Sequence, residues 1–65
     1  MITINKATRI DTNNVYAECT VETVADLDDF PAFAREHEFQ HGSSVLCQEN
    51  SGVYTMKPDY TLVEL

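Results

Sequence analysis

Apolar and polar residues alternate most cleanly over positions 15–22, where Val15, Ala17, Cys19 and Val21 interleave with Tyr16, Glu18, Thr20 and Glu22. A period of two is the geometry of a strand with one wet face. Ile2 to Ala7 repeats the pattern over a shorter length, with Ile2 and Ile4 set against Thr3 and Asn5. Between these segments, Thr12-Asn13-Asn14 is a turn signal, because Asn tolerates positive φ and bonds its own backbone. The two strands are expected to pair as a hairpin.

The period changes at about Asp26. Asp26, Asp28 and Asp29 precede Phe30-Pro31-Ala32-Phe33-Ala34-Arg35-Glu36-His37. An Asp N-cap, Pro in the first turn and Ala-rich sequence behind it predict a helix start, with the acids at the positive end of its dipole. Phe30, Phe33 and Ala34 fall on one face, the stripe that would lie on a sheet. Gly42 closes the segment, which leaves a helix of roughly two turns.

Beyond Gly42 the chain returns to strands: Ser44 to Glu49, a turn at Asn50-Ser51-Gly52, Val53 to Lys57, a turn at Pro58-Asp59, and Tyr60 to Leu65. Tight loops between strands favour an antiparallel meander. The apolar end predicts that Leu62 or Val63, together with Leu65, is packed. The order ββ-α-βββ defines a small, mainly antiparallel α+β domain, with residues 1–65 forming one domain.

Composition adds a constraint on stability. A chain of 65 residues buries only about 60% of the surface exposed by its unfolded form. Domains of this size usually add disulfides, a metal or a partner subunit. Hydrophobic residues make up 43% of the chain, too many for a disordered tail. No apolar run approaches the roughly 18 residues of a membrane helix. The stretch MITINKATRI has no apolar h-region or small-residue cleavage site, so no signal peptide is expected and the default compartment is a cytosol.

Eleven acidic residues against four basic ones give a formal charge of −7, which repels nucleic acid phosphate. Lys6, Arg9, Arg35 and Lys57 are scattered and form no compensating patch. Neither nucleic acid nor a membrane is expected as a partner. The acidity reads first as solubility; the sharper alternative is a small acidic inhibitor that mimics nucleic acid or docks onto a basic protein. Cys19 and Cys47 are the only cysteines. Each lies in strand-like sequence without a secretory context, so both are expected reduced and buried.

His37-Glu38-Phe39-Gln40-His41 matches H-E-x-x-H. On a helix, that spacing lets two imidazoles reach one Zn²⁺ while the Glu activates its water. Here Gly42 follows the second His at once, and the extended H-x-x-G-x-x-H pattern is missing. The third ligand would have to be Glu49, Asp59 or Glu64. A structural zinc site from Cys19, His37, His41 and Cys47 is a remote alternative, but the cysteines form no knuckle. No metal or cofactor is expected. Two glycines exclude a phosphate-binding Gly loop. Ser43 and Ser44 read as a strand start, and Asp28-Asp29 with Glu36 and Glu38 as solvated helix ends. Tyr16, Tyr54 and Tyr60 could form an interaction surface or stabilise the sheet by cross-strand pairing.

The C-terminal stretch Gly42 to Leu65 runs Gly42-Ser43, an apolar strand at Val45-Leu46-Cys47, a polar turn at Asn50-Ser51-Gly52, Val53-Tyr54-Thr55-Met56, a turn at Pro58-Asp59, and a last strand. It resembles the ends of short virion proteins of tailed phages and prophages of Gram-positive bacteria. Those proteins often carry a Trp in the last strand; this chain has none, and Leu62 is the candidate for its place. The resemblance implies a non-enzymatic structural or head-associated virion protein with no catalytic residues, made in the host cytoplasm. Its expected partners are copies of itself or other virion proteins, and Tyr54, Met56 and Tyr60 are the expected contact residues because aromatics and Met are enriched at interfaces.

Overall fold

A computed structural model describes residues 1–9 and 14–65. Strands β1 (Ile2–Arg9) and β2 (Val15–Val21) lead into helix α1 (Val24–Glu36), which is followed by β3 (Ser44–Cys47), β4 (Gly52–Met56) and β5 (Leu62–Glu64). This is the α+β order expected from the changes of period. Thr12 and Asn13 of the expected turn lie outside the described residues.

The five strands form one sheet in the order β1-β2-β3-β4-β5. β1 and β2 are antiparallel, with a bulge between Ile4 and Lys6, and β3-β4-β5 is the antiparallel meander. The hairpin and the meander join through a parallel β2–β3 pair. Parallel neighbours need a crossover, and α1 supplies it.

The core lies between α1 and one sheet face. Ala17, Cys19, Val21, Val45, Cys47 and Met56 point from the strands toward Phe30 and Ala34 of α1 and Phe39 beyond it, each at most 4% exposed. Phe30, Phe33 and Phe39 form an aromatic group with ring centroids 5.8–6.3 Å apart.

Three expectations need correction. The helix is 13 residues long rather than about two turns, because it starts at Thr23 rather than within the Asp cluster. Thr23 accepts from the Asp26 amide while the Asp26 carboxylate accepts from the Thr23 amide, a reciprocal capping box. Pro31 consequently sits in the helix interior. The last strand begins at Leu62, since Tyr60 has a φ of 71° within a turn that Asp59 closes by accepting from the amide and hydroxyl of Thr61. Leu62 packs on the core, but Leu65 is 78% exposed, its amide bonded to the Val53 carbonyl.

Candidate functional site

The H-E-x-x-H segment is not helical. α1 ends at Glu36, His37 is its C-cap, and Glu38 turns the chain with a φ of 59°. The i, i+4 relation that would align two imidazoles is therefore lost. His37 stacks on Phe33 with centroids 4.1 Å apart, and the His41 ring is hydrogen-bonded to the side chain of Gln40. Among the described residues no three His, Cys, Asp or Glu side chains converge as a metal site.

Ser43 is fully buried and committed to the fold. Its hydroxyl donates to the Gln40 carbonyl at 2.7 Å and accepts from the Ala17 amide at 3.0 Å. Residues 38–40 pair with Val15, and β3 resumes the parallel ladder at Ser44. Between them, the Ser43 side chain supplies the acceptor that a continuous strand would have offered to Ala17.

Cys19 and Cys47 are free and buried. They pair with Val45 and Val21 respectively, so they sit diagonally on one face. Strand spacing puts them ~8 Å apart at Cα, too far for an unstrained disulfide. Burial pushes the Cys19 thiol up to about 11.

The acidic end of α1 is also internally engaged. Glu49 accepts from the Val24 amide at 2.7 Å, and the Met1 ammonium donates to Asp26 at 2.9 Å. That ammonium, with Thr23, holds the Asp26 carboxyl below its ordinary range.

Tyr54, Met56 and Tyr60 all lie on the helix side of the sheet. Met56 is 2% exposed and belongs to the core, so its side chain is closed to a partner in the folded chain. Tyr60 is half-buried beneath Arg35, whose guanidinium carbon lies 5.0 Å from the ring centroid. Tyr54 is half-buried beside a cleft of about 290 Å³ lined by Leu27, Asp28, Pro31, Tyr54, Thr61 and Leu62.

The larger uncovered surface is the opposite sheet face. Leu46 and Val53 are register partners, and Leu65 joins their row by bonding Val53. Val63 stands in the next row, opposite Thr55. Leu46, Val53 and Val63 are each 41–42% exposed. Among the described residues, charge on this face comes from Lys6 and Glu18, which are themselves register partners, and from Glu22, exposed at the end beside Thr3, Asn5 and Thr20. The sequence carried a signal for this face: Leu46 sits between Val45 and Cys47, so β3 is apolar on both sides.

These features define a small α+β domain of one sheet and one helix, with an apolar patch left uncovered on the sheet face away from the helix. Compared with known proteins, the chain matches no family model, no curated sequence and no solved structure.

Proposed function

We propose that this chain is a non-enzymatic structural protein that works by assembling with copies of itself, as a component of a phage virion would. The observation that carries the reading is the uncovered row Leu46, Val53 and Leu65, with Val63 beside it. Two sheets stack face to face about 10 Å apart when their inner sides are apolar. A two-fold contact uses the same patch on both subunits and must be self-complementary. This face suits that requirement. It is apolar or hydroxyl-bearing along Ser44, Thr55, Thr20 and Thr3, and its Lys6 and Glu18 offer both signs to a second copy.

Charge favours this side over the others. A chain of net charge −7 repels its own copies, and that repulsion is smallest where acids are fewest. Face-to-face association leaves Asp28, Asp29 and Glu36 of α1 pointing outward. Sedimentation at micromolar concentration tests the reading: a concentration-dependent oligomer is expected, and Leu46→Glu should disperse it while circular dichroism stays unchanged. The virion part is tested separately, since the protein should sediment with intact particles rather than remain in the lysate supernatant.

The acidic-inhibitor reading has one observation in its favour, the exposure of Asp28, Asp29 and Glu36 on the helix. A strictly monomeric protein that binds a basic host enzyme tightly would turn the conclusion to it.

A further inference from the structure

We propose that the cleft between α1 and the β4–β5 hairpin binds the side chain of an arginine presented by a segment of a partner protein. The cleft exists because α1 lies over β2 and β3. Ala17, Val21, Val45 and Cys47 are fully covered there, whereas Tyr54 and Leu62 beyond them are only half-buried. Its volume of about 290 Å³ lies at the floor of the range for small-molecule pockets, a fit for one side chain rather than a cofactor.

The walls set the chemistry of the occupant. Leu27, Pro31, Tyr54 and Leu62 form an apolar lining, and Asp28 stands at the helix rim. No hydrogen bond or ion pair joins Asp28 to a described residue. Glu64 is the register partner of Tyr54, so it emerges on the same face beside the cleft and is exposed. Pro31 has no N–H, which leaves the Leu27 carbonyl without its usual helical donor. The cleft therefore offers apolar surface for an aliphatic stem and oxygen acceptors for its end. Long basic side chains have that division of stem and head.

Arginine is favoured over lysine because its guanidinium stacks on aromatic rings and meets carboxylates with a fork of donors. The molecule already pairs Arg35 with Tyr60 in this way. Tyr54 is also held in place. A Cβ on Gly52 would come within 2.9 Å of the Tyr54 ring and hydroxyl, so the bare glycine makes room for the ring. Asn50 donates to the Tyr54 hydroxyl at 2.9 Å and accepts from the Gly52 amide at 2.8 Å. A platform fixed before binding loses less entropy when the ligand arrives.

This site lies on the side of the sheet opposite the proposed self-association face, so a monomeric protein would overturn that reading and leave this one standing. The test is an amide-resolved NMR titration of the full chain with N-acetyl-arginine amide, using N-acetyl-norleucine amide as the uncharged probe. Saturable shifts are expected at Leu27, Asp28, Tyr54 and Leu62 with the arginine probe and not with norleucine. Asp28→Asn should weaken binding about tenfold, the size of one lost charge-assisted bond. Glu18→Gln, the same charge change on the other face, should leave it unaltered, and Glu64→Gln provides a second cleft variant. Absence of saturation, shifts spread over all the acidic residues, equal binding of norleucine, or equal weakening by Asp28→Asn and Glu18→Gln would each overturn the proposal.

Discussion

Ser43 shows how much of a small fold can rest on one polar side chain. Its hydroxyl bridges Ala17 and Gln40 where the β2 ladder is interrupted, and its carbonyl accepts from the Met56 amide. Ser43→Ala leaves the buried Ala17 amide without an acceptor, at a cost of about 1–3 kcal/mol. Urea unfolding of the variant should show that loss, and an unchanged midpoint would mean another acceptor takes over. The neighbouring Gly42 has a φ of 93°, and a Cβ there would lie 3.2 Å from the Tyr16 ring, so this turn admits little else. From sequence, Ser43 looked like an ordinary strand start. Nothing in its neighbours told that the ladder breaks beside it, since that depends on pairing between residues far apart in the chain. Cys19 was easier to read, because its alternation with Glu18 and Thr20 placed it inside. Its folded-state pKa of about 11 stands above the ordinary thiol value of 9.0. The unfolded chain therefore releases this proton first, and the stability present below about pH 9 should fall as pH rises toward 11. Native protein at pH 9 should resist iodoacetamide at both cysteines, and unfolded protein should present two thiols. Rapid native alkylation of Cys19 would contradict its burial.

The helix is the element whose limits the sequence disguised. Three Asp residues ahead of a Phe-Pro pair imitate an N-terminus, yet Thr23 and Asp26 close the capping box one turn earlier. The signal was present as Thr-x-x-Asp, and the Pro overshadowed it, since Pro is far commoner in a first turn than in a helix interior. Pro31 removes a bond to Leu27 and costs an isolated helix about 3 kcal/mol against Ala. Both residues border the open cleft rather than the packed core, and the folded protein tolerates the break. Pro31→Ala should accordingly raise the urea midpoint, by about 1 kcal/mol or more in stability. A lower midpoint would mean that the ring's packing outweighs the restored hydrogen bond. The apolar stripe was legible throughout, because Phe30 and Ala34 share a face whichever turn starts the helix. Phe30 fills the centre of the core, and Phe30→Ala should cost about 3–5 kcal/mol. That is comparable to all the stability a core of this size supplies, so circular dichroism should find the variant largely unfolded at room temperature. A cooperative native transition would show that the core is less dependent on this ring.

At the scale of the whole molecule, the strand order was legible and the way its halves join was not. Alternation in β1 and β2 and short turns after Gly42 specify a hairpin and a meander. Only the tertiary fold reveals that β2 and β3 lie parallel, with the helix returning the chain to the same end. That junction decides which residues gather on the outer face. Tyr54 and Tyr60 drew notice as aromatics, but they face the helix side, while the plainer Leu46, Val53, Val63 and Leu65 are left uncovered. Covering them with a second copy extends a small core without a disulfide or a metal, and it should be favoured by added salt, which screens repulsion between acidic subunits. Sedimentation equilibrium of the unmodified protein over a range of micromolar concentrations, with Leu46→Glu run beside it, tests this most directly. The account predicts a reversible oligomer that the substitution converts to a folded monomer. A wild-type chain that remains monomeric at every concentration, at low and high salt alike, would contradict it.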